Sequence, residues 1–267
     1  MSTISERIPL FIPPDEIDNR TGDYVVCRAV THRGLVRLHN EDAFSVLTKD
    51  TRHLFIIADG LGGHRGGSIA SEMAVDTIKN EFINWNGKSN DRFVTKSIQK
   101  ANEEVFSTAQ SHPELFSMQT TATVVAFEKN SLAIGHVGDC RLYRVRNRRL
   151  AVLTHDHSQA AEMLRLHLIS HEDSLQHPGR HQLTRSVGSS PFLRVDLVKE
   201  KINPGDSYLL CSDGLWSEVS NTDIETALSE KDIEKSLEEL VGMVLKAGAP
   251  DNITGIIFRI SETNGPT

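Results

Sequence analysis

The sequence predicts an α+β fold in which two stacked antiparallel sheets carry helices on their outer faces. Three observations lead there. Strand-like segments come in runs joined by short turns, at Glu128-Lys129-Asn130 and Arg146-Asn147-Arg148, as antiparallel neighbours require. Nine such segments can be counted, many for one open sheet, which favours two packed sheets. Helical stretches come in blocks rather than alternating with single strands, which argues against a parallel βαβ sheet.

Taken in order, residues 1–22 read as an N-terminal tail, with Pro9, Pro13 and Pro14 among mixed polar residues. Strands are expected at Tyr24–Val30, Ala43–Leu47 and Leu54–Ala58, where β-branched and aromatic residues lie between breakers. Ser68–Phe82 places Ala70, Ala74, Ile78 and Phe82 on one helical face, and Asp91–Gln110 does the same with Val94, Ile98, Ala101, Val105 and Ala109. Strands follow at Thr121–Phe127, Ser131–Val137 and Leu142–Val145, then a helical or irregular insert at 158–180. Val195–Val198 and Ser207–Cys211 are strands, two helices follow, and the second aligns Ile233, Leu237, Leu240 and Val244. Thr254–Ile260 is the last strand, and 262–267 a short polar tail.

Composition narrows the function. There are 29 basic and 36 acidic residues among 267, a net charge of −7, which argues against a protein gripping nucleic acid or an anionic membrane with its whole surface. Three dispersed cysteines and no CxxC pair exclude a zinc knuckle or a disulfide framework and fit a reducing compartment. No apolar run approaches the ~18 residues needed to span a bilayer. A cytoplasmic, monomeric domain is the default expectation.

The aspartates carry the chemistry. Asp59 follows Leu-Phe-Ile-Ile-Ala, Asp139 follows Gly-His-Val-Gly, Asp213 follows Leu-Leu-Cys-Ser, and Asp251 precedes Ile-Thr-Gly-Ile-Ile-Phe. Each sits at the end of an apolar strand. Singly, Asp-Gly at 59–60 and 213–214 and Asp-Asn at 251–252 suit ordinary turns. Gathered at one end of a sandwich they would repel: at an effective dielectric near 20, two charges ~4 Å apart cost about 4 kcal/mol. Such a cluster needs a cation or protons. Oxygen-only ligands, a Gly60 carbonyl among them, select hard ions such as Mg²⁺, Mn²⁺ or Ca²⁺.

After Asp59, the run Gly60-Leu61-Gly62-Gly63-His64-Arg65-Gly66-Gly67 lets backbone approach a ligand closely ahead of a helix N-terminus. It is neither GxGxxG nor a Walker A loop. Arg37, Glu41 and Asp42 precede a strand; an arginine there is either a solvated ion pair or a bidentate phosphate ligand.

Several stretches together resemble the metal-dependent Ser/Thr protein phosphatases of the type 2C (PPM) family, in its short bacterial form. They are Gly34-Leu35-Val36-Arg37-Leu38-His39-Asn40-Glu41-Asp42, Ala58-Asp59-Gly60-Leu61-Gly62-Gly63-His64, Thr120-Thr121-Ala122-Thr123 and Gly135-His136-Val137-Gly138-Asp139-Cys140-Arg141. Leu153-Thr154-His155-Asp156-His157-Ser158, Leu183-Thr184-Arg185-Ser186-Val187-Gly188, Ser212-Asp213-Gly214 and Asp251-Asn252-Ile253-Thr254 complete the series. The resemblance runs from Tyr24 to Ile260. It implies an αββα sandwich, a catalytic domain over 23–261 and a flap over about 159–180. It implies two Mn²⁺ or Mg²⁺ ions bridged by Asp59, with the Gly60 carbonyl on one and Asp213 and Asp251 on the other. Glu41 would act through water with Asp42 beside it, and Asp139 with Asp213 resembles a third-metal site. Asn252 would support the Asp251 loop. Arg37 corresponds to the arginine that binds substrate phosphate, and His64 to the general acid. Leu61, Cys140 and His167 stand where Met, Ser and Gly are usual, and the last puts the flap's conformation in doubt.

The implied reaction is hydrolysis of phosphoserine and phosphothreonine by a hydroxide held between the ions, attacking in line. The implied substrate is a phosphoprotein, a Ser/Thr kinase or its targets. His136, His155 and His157 are expected to be structural. Three competitors are weaker. Cys27…Arg33 and Cys140…Arg146 match C-x5-R, but the intervening RAVTH and RLYRV are strand-like rather than a phosphate cradle. Arg144, Arg146, Arg148 and Arg149 could suggest a nuclease, against the net charge. A non-catalytic binding module with this fold would be expected to lose the acids, and all four remain.

Overall fold

The structure, a computed structural model, describes residues 25–61, 65–87 and 89–261. The tails expected at 1–22 and 262–267, and His64 with Gly62 and Gly63, lie outside the described residues. Eleven strands, seven α-helices and two 3₁₀ turns are present among the described residues. The strands are β1 (Val25–His32), β2 (Asp42–Lys49), β3 (Arg52–Leu61), β4 (Gln119–Thr120), β5 (Ala122–Glu128), β6 (Ser131–Val137), β7 (Arg141–Arg146), β8 (Arg149–Val152), β9 (Asp196–Lys201), β10 (Ser207–Cys211) and β11 (Ile253–Ile260). The helices are α1 (Arg65–Asn84), α2 (Asn90–Ser111), α3 (Gln159–Arg165), α4 (His171–Gln176), α5 (Asp213–Trp216), α6 (Asn221–Ser229) and α7 (Ile233–Ala247).

The strands form two antiparallel sheets, ordered β1-β11-β10-β7-β8 and β2-β3-β5-β6-β9, with β4 pairing β3. The layers follow from which faces are apolar. The stripe of α2 buries Phe93, Val94, Ile98, Ala101 and Val105, which pack with Ala70, Ala74 and Ile78 of α1 against Leu54, Ile56 and Val124 of the second sheet. Leu237, Leu240 and Val244 of α7 pack with α6 against Leu209, Ile253 and Ile257 of the first sheet. Between the sheets, Phe55, Phe127, Phe258 and Tyr208 stack, with Phe55 and Phe258 ring centroids 4.3 Å apart. These layers make the expected αββα sandwich.

Sequence and structure part at two turns. Asp59-Gly60 is no hairpin turn; both residues stay in β3, Asp59 opposite Asp42 and Gly60 opposite Thr120. Asp213-Gly214 opens α5 instead of turning back. Its Ser212 N-cap position has the extended backbone from which a helix starts, and nearby hydrogen bonds tie Ser212 to Thr254. The short strands β4 and β8 are too brief for alternation to register.

Candidate active site

Antiparallel pairing decides which strand ends share a rim. β2 begins where β3 ends, and their register sets Asp42 opposite Asp59. In the other sheet Cys211, the last residue of β10, pairs with Gly255 of β11 and Arg141 of β7. Asp213 follows that end of β10, Asp251 precedes β11 and Asp139 precedes β7. All five acids gather at one end of the sandwich.

Asp42 ties the two rims together. Ser212 Oγ and Thr254 Oγ1, from the opposite sheet, donate to its Oδ2 at 2.8 and 2.6 Å. Its Oδ1 is buried and has no hydrogen-bond partner among the described residues. A buried carboxylate oxygen left so is costly unless protonated or facing a cation. Burial pushes the Asp42 carboxyl up to about 7; the two hydroxyls oppose the rise and Asp213 and Asp251 add to it. Asp59 is pushed well above the ordinary carboxylate range by burial first, then by Asp42, Asp213, Asp139 and Asp251. Asp139 rises too, through burial and then Asp213 and Asp156.

The backbone of Asp59 is clamped by Thr120-Thr121. Its N–H donates to Thr121 Oγ1, and its carbonyl accepts from Thr121 N–H and Thr120 Oγ1, all at 2.8 Å. Gly60 is needed next: a β-carbon there would lie 2.3 Å from Gly67 O and 2.6 Å from Glu41 O. Glu41 and the start of α1 close over this strand end.

Arg37 is half-exposed, and its Nη2 lies 2.6 Å from Asp251 Oδ2. Asn252 holds the loop that presents it, donating to Arg33 O at 2.8 Å and His39 O at 2.9 Å and accepting the Glu41 N–H at 2.8 Å. Leu35 N–H also donates to Ala249 O at 2.9 Å. Asn252 also donates its backbone N–H to Asp251 Oδ1 at 2.8 Å, so it ties the Asp251 loop to the Arg37 loop.

Sequence reasoning missed four residues here. Ser212 and Thr254 lay inside quoted motifs, and a hydroxyl beside each strand-end acid was a signal available for reading. His181, whose Nδ1 is 3.3 Å from Asp213 Oδ2, closes the stretch His177-Pro178-Gly179-Arg180-His181, which resembles the end of the family's flap; Trp216, whose Nε1 donates to Asp139 O at 3.0 Å, carried no signal.

An oxygen-only, anionic and internally repelling donor set fits hard divalent cations. Among the described residues no three Asp, Glu, His or Cys side chains converge into a cage by themselves. The rival chemistries lose ground. Cys27 and Cys140 are buried, the first thiol pushed up to about 11 and the second well above its ordinary value by burial, the wrong direction for a nucleophilic thiolate. Arg144 and Arg146 are engaged by Glu200 and Asp206 at 2.8 and 2.7 Å, which neutralises two of the four arginines of that hairpin.

The sequence matches the family described as Protein phosphatase 2C over residues 31–256. It is 36% identical over 233 residues to the serine/threonine phosphatase stp of Listeria monocytogenes, covering 85% of this chain and 92% of that one. The fold is similar to serine/threonine phosphatase Stp1 from Staphylococcus aureus, with a TM-score of 0.85 and 29% identity over 90% of this chain and 96% of that one. It is similar also to the catalytic domain of serine/threonine protein phosphatase PstP in complex with two manganese ions, with a TM-score of 0.79 and 28% identity over 89% and 98% of the two chains. The rim of acids, the clamped Asp59 and the span of these matches lead to one conclusion: the chain belongs to the protein phosphatase 2C family.

Proposed function

We propose that the chain is a protein-serine/threonine phosphatase that hydrolyses phosphoserine and phosphothreonine in substrates phosphorylated by a Ser/Thr kinase. The observation that carries the reading is the set of five acids at one rim, with the buried, unpartnered Asp42 Oδ1 among them. Asp59, the Gly60 carbonyl, Asp213 and Asp251 would hold two Mn²⁺ or Mg²⁺ ions, and Asp139 with Asp213 a third. When bound, such ions supply Lewis acidity, offsetting phosphate charge and activating water.

The protein's own groups do the rest. Arg37, fixed through the Asn252 bonds, offers a guanidinium fork to phosphate oxygens at the edge of the acidic basin. Asp251 holds that fork at the site edge until a phosphate takes its place. Asp42, held by two hydroxyls, fixes the spacing between the sheets and so between Asp59 and the Asp213–Asp251 pair. Glu41 lies beside Gly60 and Gly67, where it would orient water. His64, following the Gly60–Gly63 run, would protonate the leaving alkoxide. The catalytic domain spans 23–261, with 159–180 as a flap. No helix among the described residues is long and apolar enough to cross a membrane. A cytoplasmic monomer that binds no nucleic acid is the accompanying reading.

Hydrolysis of a phosphothreonine peptide, with and without Mn²⁺, tests this. Turnover that needs the ion, stops with chelator, resists thiol alkylation and is absent on DNA is expected. Equal turnover by wild type and Asp59→Asn, or none by either with Mn²⁺ bound, would overturn it.

A further inference from the structure

His157 is 2% exposed and lies between two parts of the site that no strand connects. On one side it grips the residue before Asp139 twice. Its backbone N–H donates to Gly138 O at 2.8 Å, and its ring Nδ1 accepts the Gly138 N–H at 3.0 Å. Gly138 has φ +110°, so this junction is a tight corner with one geometry. On the other side the His157 carbonyl accepts from Thr184 N–H at 2.8 Å, and Gln159 N–H donates to Gln182 O at 2.8 Å. Those bonds close the base of the segment 159–182, which holds α3, α4 and the 3₁₀ turn Pro178–His181.

The ring's second nitrogen extends the link. Because Nδ1 accepts, the neutral ring carries its proton on Nε2, which faces Asp196 Oδ2 at 3.2 Å. Asp196 Oδ1 in turn accepts from Arg185 Nη1 at 2.6 Å, so the carboxylate joins the ring to Arg185. The far end of the same segment reaches the acids directly, with His181 Nδ1 3.3 Å from Asp213 Oδ2. The segment therefore meets Asp213 at its tip and Asp139 through its base.

We propose that His157 is a positioning residue that couples the 159–182 segment to the loop bearing Asp139, so that ordering of the segment and cation binding at Asp139 strengthen each other. Such coupling is reciprocal in free energy. The cation half rests on the function proposed above; the mechanical half does not.

Hydrogen exchange on the full chain tests it, with two variants that divide the ring's roles. In His157→Asn the side-chain oxygen stands where Nδ1 stood and keeps the Gly138 bond. In His157→Gln the amide reaches toward Asp196 and that acceptor is lost. Without metal, His157→Gln is expected to speed exchange about tenfold in both 138–140 and 159–184 while β11 keeps its rates, and His157→Asn to spare 138–140. Mn²⁺ should slow exchange across 159–184 in wild type and leave that segment unslowed in His157→Gln. Wild-type rates in 159–184 of His157→Gln, or Mn²⁺ slowing that survives there or is absent from wild type, would overturn the proposal. If His157→Gln loses cooperative melting, Asp196→Asn replaces it: loss of the Mn²⁺ slowing supports the coupling, and intact slowing refutes it. A chain showing this exchange pattern yet no phosphopeptide turnover would refute the phosphatase reading alone.

Discussion

Asp59 has four carboxylate neighbours raising its proton affinity and a backbone that cannot move away from them. Asparagine at that position keeps the shape and removes the charge that would hold cations. Asp59→Asn is expected to lower kcat on a phosphothreonine peptide by at least about 10²-fold, the scale of losing a main electrostatic group, with Mn²⁺ binding weakened in calorimetry. Retained Mn²⁺ affinity would show that Asp59 holds no ion. Arg37 sits at the edge of the same basin, paired with Asp251 at 2.6 Å. Lysine keeps its charge and loses the fork, so Arg37→Lys should raise KM for the peptide about tenfold and change kcat less, the cost of roughly one charge-assisted hydrogen bond. A drop confined to kcat would place Arg37 elsewhere in the reaction.

At the scale of elements, the site depends on strand ends being held by groups that touch no substrate. Asn252 joins the strand β11 entry to the loop 33–41 through three hydrogen bonds. Asn252→Ala leaves an N–H and two carbonyls unmet, at about 1–3 kcal/mol in urea unfolding, and should raise KM through the loosened Arg37. Gly214, in the first turn of α5, is packed so closely that a β-carbon would lie 2.0 Å from Asn252 O. Gly214→Ala should therefore shift α5 and Asp213 with it, costing about 1–3 kcal/mol in the same assay; wild-type stability and activity would show that the helix is free to move. Much of this architecture was legible in the sequence, because long helices such as α2 and α7 state their periodicity over many residues and strands such as β6 read as apolar runs between turns. The acids were legible by their place after apolar runs. The pairing of Asp42 with Ser212 and Thr254 was not, because it joins residues about 170 and 212 apart across two sheets. Trp216 was hidden for the same reason, since its indole reaches Asp139, 77 residues away. The turn preference of Asp-Gly decides neither site: Asp59 and Gly60 stay paired within β3, and Asp213-Gly214 opens α5.

The whole molecule carries a net charge of −7 and concentrates five acids at one end, so its stability should respond to protons and cations together. The Asp42 carboxyl, pushed up to about 7, holds its proton more tightly folded than unfolded, where the ordinary value is near 4. Its stabilising contribution is fully present below about pH 4 and is lost as pH rises to about 7. Asp59 and Asp139, raised by burial, act in the same direction. Buried His53 and His136 oppose them: lowered to about 4 and about 3, their contribution is present above about 6.5 and is lost as pH falls. Comparing wild type with Asp42→Asn cancels the histidines. In chelator, the stability of wild type relative to Asp42→Asn should fall by roughly 1–2 kcal/mol between pH 4.5 and 7.5, less than the ~1.4 kcal/mol per unit ceiling, because the residue is partly exposed. With Mn²⁺ that fall should flatten, since a bound cation keeps the cluster ionised and stabilises the folded state in proportion to its affinity. Urea unfolding at four or five pH values, with and without Mn²⁺, measures both. Parallel curves for the two proteins in chelator would mean that Asp42 is already ionised in the folded chain and that the strain of the acidic rim is carried by Asp59 and Asp139 instead.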